Sequence, residues 1–255
     1  MVLFKFAKRN QVVDAERYEQ LYKNILESKK ENELGLSSIN LLYRKPYNEY
    51  YNKLRNVIVS SDKVLELGSG TGIHTNILCD LSNKVYALDI SDSALKLCHL
   101  NTKGRAICIK GSIDAIPFES DYFDVIVSAG SLSYSNWEKL KKELIRTLKP
   151  NGSVVFVDSL NNNPIYIVNR LFHVLKKNRT LATVIRIPTS KKINKFSKQF
   201  ANSEIVYFDQ FVWLRKMRIT KFKFIEKTIV NMEKLKFFQR LAFKFVFVGN
   251  GLKKY

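Results

Sequence analysis

The stretch Lys63-Val-Leu-Glu-Leu67, running straight into Gly68-Ser-Gly-Thr-Gly72 and then Ile73-His-Thr-Asn-Ile-Leu-Cys-Asp-Leu-Ser82, decides the fold. A short apolar run, a cluster of glycines and a helical stretch read as strand, tight turn and helix. Glycines at such a turn let the backbone bend sharply and let a ligand lie against main chain where a Cβ would clash. Outward from it the same unit repeats. Residues 84–88 read as a second strand and 91–101 as a helix capped by Ser91 or Asp92. Residues 106–110 and 122–128 supply a third and a fourth strand. Residues 137–148 form a helix, and 153–158 a fifth strand after the turn at 149–152. Strands alternating with helices over about 100 residues predict a parallel sheet with helices on both faces.

The flanks differ from this centre. Residues 14–31 and 38–58 read as polar, aromatic helices, with Pro46 breaking the second or starting a turn. After Asp158 a polar loop leads into a helical, basic insertion running to about Lys198. Residues 222–230 and 241–251 alternate apolar and polar at period two, and predict two strands pairing antiparallel at the sheet edge. Their Phe/Lys alternation is read as strand facing, Phe inward and Lys outward, rather than as a platform for stacking bases. The expected fold is α/β and doubly wound: a mostly parallel seven-stranded sheet with an antiparallel edge hairpin, N-terminal helices and a basic insertion after the fifth strand.

Length and composition agree with this. The chain has 255 residues, 45% hydrophobic and 26% charged, the balance of a soluble globular protein and not of a disordered or fibrous one. No run approaches the ~18 apolar residues of a spanning helix, and the first ten residues do not form a secretory leader. The three cysteines, Cys79, Cys98 and Cys108, have no metal or redox spacing, so reduced thiols and a cytoplasmic setting are expected. Charge is the unusual quantity: 43 Lys+Arg against 23 Asp+Glu, net +20. Residues 161–255 hold 21 basic and 4 acidic residues, against 22 and 19 in residues 1–160. Such a surface attracts polyanions: nucleic acid, anionic headgroups or phosphorylated substrates.

The chemistry sits where a parallel sheet binds ligands, at the carboxyl end of the first strand. Asp89 closes the second strand 19 residues beyond Gly70, where a carboxylate accepts hydrogen bonds from both hydroxyls of a ribose. The pocket therefore suits an adenosine-containing cofactor. A dinucleotide site is normally Gly-x-Gly-x-x-Gly, facing a pyrophosphate. Here the loop is Gly-x-Gly-x-Gly, and Glu66 stands ahead of it. An anion near Glu66 would be repelled; a sulfonium and an ammonium group would be attracted.

In these residues the sequence resembles the class I S-adenosylmethionine-dependent methyltransferases of the type 11 subgroup. The segments VLELGSGTG, VYALDIS, IPF with YFDVIVS, and LIRTLKPNGSVVFVD match in order and spacing over residues 64–160. The resemblance implies a Rossmann-like domain over 61–255, with S-adenosylmethionine as cofactor. It assigns Glu66, Gly68, Ser69, Gly70 and Gly72 to the methionine portion and loop, Asp89 to the ribose and Ile90 to the adenine. Gly111-Ser112 stands where the family usually has Gly-Asp, so Ser112 or the backbone beside Ile113 would serve the adenine amino group. Ala129 and Gly130 would line the reactive end. By the same resemblance residues 1–60 form a lid segment and 161–200 an acceptor-site insertion. The segment from Ser128 to Tyr134 and the stretch after the fifth strand are similar to methyltransferases of bacterial surface-polysaccharide (O-antigen or capsule) gene clusters.

Methyl transfer to an alcohol benefits from a general base, and His is the natural candidate near neutral pH. Of the three histidines, His74 opens the helix after the glycine loop, His99 lies in a helix, and His173 lies in the insertion. His173 is the expected base, with Asp158 as orienting carboxylate or alternative base. No cluster suggests a metal. The expected function is O-methylation of a sugar of a surface glycan or its lipid-linked precursor, by a cytoplasmic protein peripheral at an anionic membrane surface. The alternatives are an RNA methyltransferase, for which the basic tail would be the footprint, and a cofactor-binding module without catalysis.

Overall fold

A computed structural model describes residues 2–28, 44–176, 179–211, 231–232 and 235–254. Seven strands form one sheet in the order β3-β2-β1-β4-β5-β7-β6. β1 (Lys63–Leu67), β2 (Lys84–Asp89), β3 (Ile107–Lys110), β4 (Phe123–Ala129) and β5 (Leu148–Ser159) run parallel, and β7 (Lys244–Leu252) pairs antiparallel with both β5 and β6 (Phe200–Phe208). The order reverses at β1 and β4, which opens a crevice at their carboxyl ends.

The edge hairpin is present, but its first strand is not the expected one. β6 is residues 200–208, whereas the segment 222–230 lies outside the described residues. β6 begins Phe-Ala-Asn-Ser-Glu and is exposed over residues 201–204, as an edge strand can be, so its period-two pattern is weak. β5 also starts earlier than expected. The 149–152 turn lies inside it as a register shift against β4, with Asn151 at φ 63°.

Alternation along the strands divides the core. Val64, Val85, Val125, Val127, Val155 and Val157 face one side. They meet Tyr50, Tyr51 and Leu54 of α2 (Arg44–Val57), Leu78 of α3 (Ile73–Leu81) and Cys98 of α4 (Asp92–Asn101). Leu65, Leu67, Ile126 and Phe156 face the other side. There they pack on Trp137, Leu140 and Leu144 of α5 (Trp137–Thr147) and on Ile193 and Phe196 of α8 (Ser190–Ser197). α6 (Pro164–Leu175) and α7 (Leu181–Arg186) follow β5, and α1 (Val2–Ser28) precedes everything. α1 contacts α4 and α7, which lays it across the carboxyl ends of the strands.

Helix starts follow the capping residues. Ser91 accepts from the Ala94 N–H at 3.0 Å and so begins α4, while Asn136 and Asn163 do the same for α5 and α6. The Asn163-Pro164 pair is thus a helix start.

Candidate active site

The carboxyl ends of β1, β2 and β4 and the covering helix α1 enclose a cleft of about 260 Å³. The sheet contributes Gly68, Asp89, Ile90, Ser112, Ile113, Ala129 and Gly130. α1 contributes Asp14, Ala15, Tyr18 and Tyr22, and the 3-10 turn Leu132–Tyr134 contributes Tyr134.

The glycine loop is shaped by main chain. Gly68 has φ 66°, and a Cβ there would come within 2.5 Å of the Ser131 Cβ. Gly70 has φ 52°, and a Cβ would lie 3.1 Å from the Tyr22 hydroxyl. Gly68 and Ser69 N–H groups both donate to the Leu88 carbonyl, tying the loop to β2. The Asp89 carboxylate is then fixed by the loop itself: Oδ2 accepts from Gly70 N–H at 2.9 Å and Oδ1 from Ser91 N–H at 3.0 Å. Burial pushes Asp89 above the usual carboxylate range, and the N–H groups of Ser91, Gly70 and Ile90 pull it back. These donors leave part of the carboxylate's acceptor capacity for a ligand hydroxyl.

Glu66, Ser69, Gly70 and Gly72 do not line the cleft. Glu66 lies on the same face of β1 as Val64, so its side chain enters the layer beneath α3 and α4. It is fully buried there and accepts a hydrogen bond from the Thr75 hydroxyl. Burial raises its carboxyl well above the usual range. Gly72 is the left-handed residue that starts α3, and Cys98 packs against it.

The two expected catalytic residues lie apart. His173 is exposed in the last turn of α6, outside the cleft. Asp158 is 3% exposed and holds structure: Oδ2 accepts from Leu132 N–H at 2.8 Å and Oδ1 from Ser159 N–H. It thereby fixes the turn after β4 that carries Tyr134. Burial pushes its carboxyl up, and Lys244 opposes this. His74 meets Tyr51, whose hydroxyl is 2.8 Å from Nδ1, and stacks on Tyr47 at 5.4 Å. Burial and Lys244 pull it down to about 4.

The cleft also contains residues that no motif marks. Tyr18 and Tyr134 hydroxyls are hydrogen-bonded to each other over the opening. Burial pushes Tyr22 and Tyr134 up, so both are neutral phenols at physiological pH. Glu19 accepts from the hydroxyls of Ser91 and Ser93, each at 2.6 Å, and anchors α1 to the start of α4. Asp14 is 4% exposed; its Oδ2 accepts from the Thr180 hydroxyl at 2.8 Å, and Oδ1 is 3.5 Å from the Arg17 guanidinium. Ser112 is in place, but its hydroxyl accepts from the Asp114 N–H, and Asp114 is engaged by Ser135 and Asn136.

Residues 65–156, the segment that builds this crevice, match the family described as a methyltransferase domain. The chain carries a class I S-adenosylmethionine-dependent methyltransferase domain. The ubiquinone/menaquinone biosynthesis C-methyltransferase of Wigglesworthia glossinidia brevipalpis is 28% identical over 173 residues, covering 56% of this chain and 68% of that one. The phthiotriol/phenolphthiotriol dimycocerosates methyltransferase 1 of Mycobacterium ulcerans is 29% identical over 127 residues, or 48% of this chain and 46% of the relative. The chain thus spans about two thirds of the first relative and under half of the second. Geranyl diphosphate C-methyltransferase of Streptomyces coelicolor A3(2), solved with S-adenosyl-L-homocysteine, superposes with a TM-score of 0.57 at 14% identity. That likeness covers 82% of this chain and 79% of that one, and it shows the shared fold.

S-adenosylmethionine is the cofactor of this methyltransferase domain, and the residues present fit it. Gly68 and Gly130 leave main chain bare along the cleft, Asp89 faces it from the end of β2, and exposed Ile90 offers an apolar edge.

Proposed function

We propose that this methyltransferase methylates a hydroxyl of a lipid-borne acceptor, a sugar of a lipid-linked glycan precursor being the acceptor the sequence points to, with Asp14 as the general base. The supporting observation is the pair of carboxylates in the cleft. Asp89 is held by the glycine loop at the end of β2, which this reading takes as the ribose position, and that leaves Asp14, four residues before Tyr18 on α1, toward α7. S-adenosylmethionine, when bound, supplies an electrophilic methyl whose C–S bond breaks as the bond to the acceptor oxygen forms. The protein's part is to hold the acceptor in line and to take its proton. The Tyr18 and Tyr134 hydroxyls, one of which donates to the other, orient the acceptor oxygen through the remaining O–H; Asp14 receives the proton; α1 covers the cleft and keeps water out as a lid.

A second reading takes the nucleophile to be a quinol ring carbon. It is favoured by the ubiquinone and menaquinone substrates in the names of relatives. Incubation with methyl-labelled cofactor and separate lipid, polysaccharide and RNA fractions tests both. Label that enters lipid and leaves it with the sugar on mild acid hydrolysis is the expected result. Acid-stable label in the organic phase supports the quinol. Label in RNA that nuclease releases overturns the proposal.

A further inference from the structure

α6 is turned inside out. Tyr166 and Arg170 face the protein and are buried, and the Arg170 guanidinium donates to the Leu160 carbonyl at 2.8 Å. Ile165, Val168, Leu171, Phe172 and Leu175 follow i, i+3, i+4 spacing on the opposite arc and are 41–80% exposed. α7 packs beside α6 and leaves Leu181 and Ile185 exposed at 41% and 63%. Such a stripe normally faces a core. Single exposed apolar side chains need no explanation, but a contiguous patch across two helices marks a docking surface.

The charge around the patch identifies what it docks on. Residues 161–198 hold nine Lys and Arg and no Asp or Glu. Lys176, at the end of α6, lies 4.5 Å over the Phe172 ring, and α8 exposes Lys191, Lys192 and Lys195. A segment that exposes an apolar face and carries cations but no acid of its own meets both demands of an anionic bilayer, hydrocarbon below and phosphate above. The patch also adjoins the cleft. Thr180, which caps α7, donates to Asp14, and α7 packs on the turn that carries Tyr134.

We propose that α6 and α7 dock the protein on an anionic phospholipid surface. Their apolar side chains enter below the headgroups, the lysines meet phosphate, and the acceptor end of the cleft opens toward the lipid. The docking deepens the reading of a lipid-borne acceptor and rests on that reading only for its purpose. Flotation of the full chain with vesicles tests it separately from catalysis. The protein should float with phosphatidylcholine/phosphatidylglycerol vesicles at low salt, float weakly with phosphatidylcholine alone, and be partly released at high salt. Val168→Glu/Phe172→Glu should lower the bound fraction about tenfold or more, the scale for withdrawing two large apolar side chains from lipid. Titration with S-adenosylhomocysteine should show the double variant folded, with unchanged affinity. Lys191→Gln/Lys192→Gln should reduce the salt-sensitive part only. A wild type that stays with the soluble fraction, or a double variant that floats equally well, overturns the docking. So does a dimer that the same substitutions convert to monomer without loss of flotation. Flotation without lipid methylation would sink the acceptor reading and leave the docking standing.

Discussion

Asp14 and Asp89 both line the cleft, and the proposed reading gives them different tasks. Asp14→Asn keeps the Thr180 contact but removes the base. The turnover number should fall about 10²- to 10⁴-fold, the contribution of general-base catalysis, with cofactor affinity little changed. Steady-state kinetics beside calorimetry would show the split; equal losses in both would make Asp14 structural. His74 gives a pH prediction. Its ordinary value near 6.5 is lowered to about 4, so below neutrality the unfolded chain binds the proton first. Stability should therefore fall as pH drops from about 6.5 to about 4, and His74→Gln should flatten that limb in thermal melts. Glu66 has the opposite sign. Its carboxyl is raised, so its ionisation costs stability as pH rises, and Glu66→Gln should gain melting temperature above neutral pH. The sheet-borne residues of the cleft were legible because the strand ends place them. For Glu66 the motif shows a charge near a cofactor loop, while strand parity turns the side chain into the layer beneath α3 and α4, which the motif does not reveal. Asp14, Tyr18 and Tyr134 were not legible, since Tyr18 meets Tyr134 across 116 residues with no local signal.

At the scale of elements, the two N-terminal helices do different things. α2 buries Tyr50, Tyr51 and Leu54 against the sheet, whereas α1 lines the cleft through Asp14, Tyr18 and Tyr22 and is anchored by Glu19 to the start of α4. Tyr47, Tyr50 and Tyr51 of α2 therefore pack beside the cleft. Among the described residues α1 is held to the rest of the protein by polar side-chain contacts, Asp14 to Thr180, Tyr18 to Tyr134 and Glu19 to Ser91 and Ser93, which a segment that opens and closes can break and remake. Amide exchange in residues 14–27 should slow when S-adenosylhomocysteine is added, and exchange in 44–57 should hardly change. Equal protection of 14–27 with and without ligand would contradict a lid. β1 to β4 were readable from apolar runs bounded by turns. β6 was not, because one face of an edge strand needs no apolar residue.

For the whole molecule, the sheet order places β1 and β4 on either side of the reversal, and the glycine loop, Asp89 and Gly130 converge there. The charge asymmetry belongs to the other half of the chain, where the basic segment after β5 carries the exposed apolar helices. One end of the sheet therefore holds the cofactor cleft, and the neighbouring surface is the one proposed to meet an anionic bilayer. Everything proposed about acceptor and surface depends on the cofactor lying in this cleft. Calorimetric titration of the purified protein with S-adenosylhomocysteine measures that directly. The account predicts one site per chain, weakened by about 1.5–3 kcal/mol in Asp89→Ala, the scale for hydrogen bonds to a charged group. Absence of binding by the folded wild type, or full affinity in Asp89→Ala, would contradict it.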